Sequence, residues 1–503
     1  MRSSGALAGV VAMAFGLLAA YLASAVGVPF APLGLGQAMI EALPGWISVP
    51  LIELLQHWAQ RLLVVSVLLL YALDGAGTGL AALSQRVATR TVVALAALPW
   101  VVTVAAAELL AHEKVDLAAS LLGSAVGAAA FYAALSFLLS AERVATPTSL
   151  SRRRLLMFGA ATAAAVAAAS LALGGALRAA GAKVEPVALA VRRLARREPV
   201  TPADAAFEAI GGLERRITSI EHHYVVDTTL FKPRVDIATW RLGVSGDVER
   251  PYDIGYDELL DMPAVERPHT LECISNEIGG DLTSTAIWVG VPLADLLSRA
   301  SPKGGSYDVV LTSVDGYTDS IRVAKATEAD TLVAYLMNGV TLPEEHGYPA
   351  RALIPGIYGM KNVKWLSDVK VVSFDYKGYW MERGWSDVAA YNTHVRIDTP
   401  RTAVARGDGR VAVAGIAFAG QRGISRVEVS TDGGKSWSDA ELEAPPGRLT
   451  WRRWRYVWAP EAAGRHRLVA RATDGQGQTQ TSVARPPFPD GATGYHAVEV
   501  SVT

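Results

Sequence analysis

Five runs of predominantly apolar residues crowd the first third of this chain, at roughly 6 to 28, 61 to 83, 91 to 110, 118 to 140 and 155 to 177. Each is long enough to cross the hydrocarbon core of a bilayer as a helix, which takes about 20 residues. Five crossings put the two ends of this segment on opposite sides of a membrane. Between the first two runs, Ile40 to Leu55 is amphipathic and interrupted by Pro44 and Pro50, so it reads as an interfacial segment rather than a sixth crossing.

Short loops set the orientation. Arg86 and Arg90 follow the second run and Arg143 and Arg152 to Arg154 follow the fourth, whereas His112 to Asp116 is nearly charge-balanced. Basic loops favour the cytoplasm, which places the N-terminus there and the C-terminal half outside. Arg178, Lys183, Arg192, Arg193, Arg196 and Arg197 crowd the outer side of the last run and oppose that orientation. The conflict is eased by Ser151-Arg152-Arg153-Arg154-Leu155-Leu156-Met157 and the moderately apolar, Gly/Ala-rich run from Phe158 to Leu177, which together resemble a twin-arginine export signal. Such a signal moves domains already folded around a cofactor. An ordinary cytoplasmic arginine cluster is the alternative.

Asp74 and Glu108 are the only acidic residues inside the five runs, and His57 and His112 lie near the interfaces without forming facing pairs. No haem is expected, and no Cys-x-x-Cys-His is present. Beyond residue 177 the chain turns rich in Asp, Lys, Trp and Pro, which marks a domain boundary. A net charge of -1 leaves no footprint of a nucleic-acid partner.

The single cysteine, Cys273, lies in a polar, Gly-rich segment between two strand-like runs and has no disulfide partner in the chain. It reads either as a small buried hydrophobe or as a thiolate, a soft nucleophile or metal ligand in a loop of Ser, Asn and Gly. The wording around it, Thr270-Leu271-Glu272-Cys273-Ile274-Ser275-Asn276, then Gly279-Gly280, then Trp288-Val289-Gly290-Val291-Pro292-Leu293, closely resembles the sulfite oxidase family of molybdenum-pterin oxidoreductases. The resemblance covers about the last 300 residues and implies that Cys273 ligates molybdenum.

A second matching stretch runs through His346-Gly347-Tyr348-Pro349-Ala350-Arg351 and Pro355 to Trp365. A pterin phosphate calls for convergent donors, and the guanidinium of Arg351, the ammonium groups of Lys361 and Lys364 and the loop amides offer them. The resemblance implies pterin contacts from Tyr224, Asp227 and Asn276, from Asp315 and His346, and from Arg351, Asn362, Val363 and Lys364. It implies a substrate-side phenol at Tyr376, with Tyr379 the alternative. Asp315-Gly316 also reads as a plain turn, and His222 and His223 as a surface pair of which at most one faces any given site. Where sulfite-oxidising members carry an arginine, this chain has Val226, Asp227 and Thr228, which weakens sulfite as the substrate.

From about Val411 short strands alternate with turns such as Asp432-Gly433-Gly434 and Asp474-Gly475, the pattern of an immunoglobulin-like β-sandwich. The wording from Gly423 to Gly434 resembles the family's dimerisation domain and implies a homodimer. The expected architecture is an α-helical transmembrane bundle over 1–177, a basic tether over 178–204, an α+β molybdopterin domain over 205–400 and an immunoglobulin-like β-sandwich over 401–503. The expected function is that of a multi-pass cell-membrane oxidoreductase with its catalytic domain on the extracytoplasmic side. Molybdenum-molybdopterin would transfer an oxygen atom on a small substrate, with electrons exchanged with an external carrier. An S- or N-oxide reductase, and a tethered binding protein that kept the fold without the chemistry, are the alternatives.

Overall fold

A computed structural model describes residues 2–24, 30–43, 47, 51, 59–84, 87–110, 117–144, 186–229, 232, 233, 235–404 and 409–503. The chain divides into two compact units, Met1–Lys183 with Thr229–Phe231, and Val184–Thr228 with Lys232–Thr503.

The first unit is built of helices α1 (Arg2–Ser24), α2 (Ala31–Ala42), α3 (Ala59–Leu83), α4 (Thr89–Leu110) and α5 (Leu117–Val144). Four of them hold stretches long and apolar enough to cross a membrane: Gly5–Ser24, Leu62–Leu83, Thr89–Ala106 and Ser120–Leu139. The 12 residues of α2 reach only about 18 Å, too short to cross. The fifth expected run and the arginine cluster before it lie outside the described residues, as do Pro44, Pro50, His57 and His112. Leu73, Leu109 and Phe137 point outward with most of their surface exposed.

Glycines set the packing of this unit. α1 packs against α3 and α5, and its Gly5 and Gly9 meet Gly75 and Gly79 of α3. A Cβ on Gly9 would lie 1.8 Å from the Gly75 carbonyl oxygen, and one on Gly79 2.1 Å from that of Gly5. Two small-xxx-small stripes therefore bring the backbones themselves into contact. Pro99 interrupts the hydrogen bonding of α4, and its carbonyl accepts from both Tyr71 Oη (3.2 Å) and Thr103 Oγ1 (2.8 Å).

In the second unit two sheets enclose one core. The first has the order β1 (Leu194–Arg197), β4 (Ala264–Glu272), β5 (Thr283–Pro292), β8 (Leu332–Met337), β10 (Arg351–Leu353), with β9 (Val340–Thr341) on β8. The second has the order β3 (Tyr252–Ile254), β2 (Leu242–Gly246), β11 (Leu366–Val372), β6 (Asp308–Ser313), β7 (Thr318–Arg322). Val244, Val309, Leu311, Val369 and Val371 of the second meet Val289, Val291, Val333 and Ala352 of the first. Helix α6 (Leu293–Ala300) joins this core through Leu293, Leu296, Leu297 and Ala300, the i, i+3, i+4, i+7 stripe of an amphipathic helix.

The stretch expected as a tether carries a strand. β1 pairs in parallel with β4, Leu194 opposite Ala264 and Arg197 opposite Glu266. Its arginines bind the domain's own acids: Arg192 reaches Asp257 and Asp261, and Arg197 reaches Glu266. The basic composition thus answers carboxylates on the same folded unit.

Two further sheets follow, β12 (His394–Thr399), β14 (Val411–Phe418), β18 (Arg452–Trp458), β17 (Glu441–Leu442), and β13 (Ala403–Val404), β20 (His496–Val502), β19 (Gly464–Asp474), β15 (Ile424–Ser430), β16 (Ser438–Asp439). They share a core in which Val395, Ile397, Val413 and Trp454 of one meet Val427, Val429, Leu468 and Val500 of the other. A seam joins this pair to β4: Trp451 donates its N–H to Thr270 Oγ1 (2.9 Å), and Thr270 donates its own to Leu449 O (3.0 Å).

Candidate active site

Strand β4 delivers Cys273 to the start of a loop that returns as β5. The Cys273 N–H still bonds Leu282 O at 2.9 Å, so the ladder extends to the cysteine. Asn276 closes the loop: its Oδ1 accepts the Leu282 N–H (3.0 Å), and its Nδ2 donates to Glu272 Oε1 and Thr283 Oγ1 (both 3.0 Å). An amide expected to touch the pterin is therefore spent on shaping the cysteine loop. Cys273 Sγ lies 3.0 Å from Ser275 Oγ. Burial pushes the thiol's pKa up, while the Ser275 hydroxyl and, more weakly, the Lys364 charge act the other way.

Beside the thiol stands Tyr224, whose phenol burial holds well above its usual pKa, with the charge of Cys273 adding to the effect and Arg351 opposing it. A Cβ on Gly359 would lie 2.6 Å from Tyr224 Oη and 3.2 Å from Glu272 O, so glycine is what lets the phenol approach the end of β4. Tyr358 is raised by burial, with smaller contributions from Glu272 and Cys273. Both phenols are proton donors at neutral pH.

A cluster of cations and imidazoles adjoins them. Arg351, on β10, is buried; Nη1 donates to His346 O (3.1 Å) and Nη2 to Asn362 O (3.0 Å). Burial lowers its pKa from 12.5 to about 10. Its Nε has no protein partner among the described residues. The His346 ring has Nε2 3.2 Å from Ile220 O, and burial first, then Arg351, brings its pKa down to about 4. With Nε2–H donated to that carbonyl, the neutral ring leaves Nδ1 as an acceptor. His223 packs 5.0 Å from it between ring centroids, and its Nε2 likewise has no partner among the described residues. Lys364 donates to Glu345 O (3.0 Å) and pairs with Asp227. Asp315 is pushed up chiefly by burial and feels both Asp227 and Lys364.

The sequence-derived residues Tyr224, Asp227, Cys273, Asp315, His346, Arg351 and Lys364 thus form one interacting group. Others serve differently. Asn362 gives its Oδ1 to the Ile354 N–H (2.6 Å) and its Nδ2 to Ile357 O (3.2 Å) and Tyr358 O (3.1 Å). Val363 packs in the core and accepts the Ala352 N–H on its carbonyl (2.8 Å). Lys361, expected as a second phosphate cation, is 2% exposed and binds Asp319 at 2.9 Å and Ser320 O at 2.8 Å. Tyr376 shares a hydrogen bond with Thr318 Oγ1 (3.0 Å) and accepts from Ser320 Oγ on its carbonyl (2.9 Å), beside β7. Tyr379 donates its N–H to Thr318 O (3.0 Å) and lies beneath Arg383. The phenols whose pKa the Cys273 charge raises are Tyr224 and Tyr358.

The surface-pair reading of the adjacent histidines fails for one of them. His222 is exposed and bonds Ser219 Oγ (2.9 Å), while His223 is 4% exposed inside the cluster. Adjacent residues facing opposite ways left one imidazole for the site, and nothing in the local sequence said which was inside.

The family model of the oxidoreductase molybdopterin binding domain matches residues 229–380, and that of the Mo-co oxidoreductase dimerisation domain matches 388–485. Sulfite oxidase of Arabidopsis thaliana is 30% identical over 266 residues, 43% of this chain and 68% of that enzyme. The chain belongs to the sulfite oxidase family of molybdenum-pterin oxidoreductases. Mitochondrial sulfite oxidase of Mus musculus is 30% identical over 302 residues, 50% of this chain and 55% of that protein. The NADH nitrate reductase of Volvox carteri is 30% identical over 272 residues, 31% of its length. The chain thus spans about half the length of the mitochondrial enzyme. The sulfane dehydrogenase SoxCD of Paracoccus pantotrophus shares the fold, with a TM-score of 0.51 at 24% identity over 57% of this chain and 82% of that one.

The family's cofactor is a molybdenum pterin, and the residues present fit one. Two buried polar atoms, the donor Arg351 Nε and His223 Nε2, an acceptor because Nδ1 faces the Tyr224 carbonyl at 3.3 Å, stand without protein partners among the described residues in a cationic cluster beside the only thiol. Buried polar atoms left open in this way call for a polar ligand. No group of three or more His, Cys, Asp or Glu among the described residues could hold a bare metal ion. A metal at Cys273 therefore has to bring further ligands with its carrier.

Proposed function

We propose that this chain is a membrane-anchored molybdopterin oxidoreductase that transfers an oxygen atom to or from a small substrate, with coupled electron transfer to an external carrier. The reading rests on one observation, a single thiol at the end of β4 beside a buried donor and a buried acceptor without protein partners among the described residues. Bound there, the molybdenum pterin supplies two-electron oxygen-atom chemistry. Cys273 contributes a thiolate ligand, its proton displaced by the metal. Arg351 Nε and the Lys364 ammonium donate to the pterin and its phosphate, and His223 Nε2, Asp227 and Asp315 accept from the ring system. Tyr224 and Tyr358, kept protonated by burial, donate to an oxygen at the thiol's side, a role that fits them better than Tyr376. Asn276, Asn362 and Val363 act by fixing the loops.

Four apolar helices support the anchor. Positive-inside charges support a catalytic unit on the outer side, and the ion pairing of Arg192 and Arg197 within that unit removes part of the opposing charge from the topology argument. The two C-terminal sheets around one core support the immunoglobulin-like reading, and the match to a dimerisation domain supports a homodimer. Val226, 43% exposed where sulfite-oxidising members carry an arginine, weakens sulfite as the substrate and keeps an S- or N-oxide reductase as the alternative. The test is molybdenum and pterin analysis of the purified chain alongside Cys273→Ser. The serine variant is expected to stay folded and lose activity, with an altered metal centre; a fully active Cys273→Ser enzyme refutes the assignment.

A further inference from the structure

The loop that carries Cys273 is tied to the C-terminal sheets at two points. Arg396, on β12, is 4% exposed. Its Nε donates to Asp398 Oδ1 (2.5 Å), its Nη2 to Glu214 Oε2 (3.1 Å) and its Nη1 to Gly280 O (3.0 Å). Two carboxylates thus orient a rigid fork whose third arm reaches the loop backbone.

His496, the first residue of β20, accepts the Ile397 N–H on Nδ1 at 2.9 Å, so its proton sits on Nε2. That edge of the ring lies against Gly279, which has φ +78: a Cβ there would stand 2.2 Å from Nε2. Gly279 is glycine for two reasons, its left-handed backbone and the imidazole above it. His394 lies nearby, with Nδ1 3.3 Å from Glu272 Oε2, an ionic contact only when the ring is protonated and not a hydrogen bond. The other oxygen of that carboxylate accepts from Asn276, the residue that closes the loop.

We propose that the C-terminal sheets brace the cysteine loop, with Arg396 and His496 as positioning residues that set the direction of the Cys273 thiolate. The role is distinct from dimerisation and rests on the reading of Cys273 as the metal ligand. Residues that orient a metal ligand without touching the metal change affinity or activity by about 10–100-fold when replaced. A loop held through backbone carbonyl and glycine contacts depends on such neighbours more than one packed through its own side chains.

Because Cys273 is the only thiol of the chain, a maleimide reports on this loop alone. The experiment labels full-length, detergent-solubilised protein made in a host unable to synthesise the pterin. Wild type is expected to label slowly. Arg396→Ala is expected to label roughly tenfold to a hundredfold faster, the change that loss of one charge-assisted hydrogen bond allows, and Gly279→Ala, whose Cβ would meet the His496 ring, is expected to label faster as well. Arg426→Ala, which breaks an exposed pair with Asp439 on the same sheets, is expected to label at the wild-type rate. In cofactor-loaded protein, both loop variants should shift the thiolate-to-metal absorption band. Gly279→Ala acts from the loop side and carries the test if Arg396→Ala fails to fold. Wild-type labelling rates in both folded loop variants, or an unmoved band, overturn the brace. A wild-type preparation without molybdenum or pterin instead overturns the reading of Cys273 and leaves the labelling result standing.

Discussion

Replacing Arg351 by methionine separates what the guanidinium does for the fold from what it does for a ligand. The buried charge is costly: a pKa lowered from 12.5 to about 10 corresponds to roughly 3 kcal/mol at about 1.4 kcal/mol per tenfold. Against this stand two bonds to the His346 and Asn362 carbonyls, at about 1.5–3 kcal/mol each. The two sides nearly cancel, so Arg351→Met is expected to leave the cofactor-free protein within about 2 kcal/mol of wild type. With an anion present the balance changes, because Nε and the net charge then have a partner that methionine cannot replace. Losing that contact should lower pterin retention by roughly 10–100-fold. The assay pairs urea unfolding of cofactor-free protein, followed by tryptophan fluorescence, with molybdenum and pterin content after dialysis. Wild-type pterin content in the variant, or a loss above about 5 kcal/mol without cofactor, refutes the reasoning.

Acid should destabilise the second unit through His269 and His346. Both are 2% exposed, and burial lowers their pKa values to about 3 and about 4. The unfolded chain, titrating near 6.5, takes up protons first as pH falls, so this stability is fully present above about pH 6.5 and is lost towards the folded values, about 2 kcal/mol per histidine by pH 5; denaturant melts at pH 7.5 and 5 that coincide in free energy contradict it. In the first unit, Gly9→Leu should cost about 1–3 kcal/mol or more, since its Cβ falls 1.8 Å from a carbonyl oxygen; unchanged resistance of the bundle to detergent unfolding rejects the backbone contact. Changing Arg152 and Arg153 to Lys should strand the catalytic unit in the cytoplasm, and protease that still reaches it in intact spheroplasts excludes the export signal. Sulfite should be a poor substrate with a high KM, because Val226 supplies none of the roughly 1.5–3 kcal/mol of an arginine contact; micromolar saturation by sulfite in steady-state kinetics against a panel of S- and N-oxides rejects this.

The parts of the site legible in the sequence are those in which chemistry and chain order coincide. Cys273 was singled out by the resemblance of its loop to the family, since a lone thiol by itself reads as readily as a small buried hydrophobe, and His346, Arg351 and Lys364 by following that loop in the family's order. Side-chain direction was not legible. Lys361 and Lys364 lie three residues apart, yet a 3₁₀ turn at Gly359–Lys361 and the non-helical Asn362 (φ -90, ψ 68) send one to Asp319 and the other to Asp227. Tyr376 followed the order of the motif, while the phenols beside the thiol came from Tyr224 and Tyr358, one before the cysteine loop and one well after it. The arginines at 192 and 197 looked like a membrane-facing charge run because their acidic partners at 257, 261 and 266 are remote in sequence.

That remoteness bears on how a polar loop can carry the proposed metal ligand in this fold. A segment with a left-handed glycine and few apolar side chains gains little from its own packing, and ordering it costs roughly 1–2 kcal/mol per residue of backbone entropy. Hydrophobic periodicity, which reports faces of helices and strands, says nothing about how such a cost is met. Here it is met from elsewhere: Arg396 reaches Gly280 while anchored by Glu214, 182 residues before it, and His496 closes over Gly279 from the last strand. Each tie is one polar contact whose two ends carry no mutual signal in a single sequence. The residues that define the chemistry sit in readable motifs, and those that hold them still are scattered through the C-terminal sheets, so variants there should alter the cysteine loop before they alter the fold.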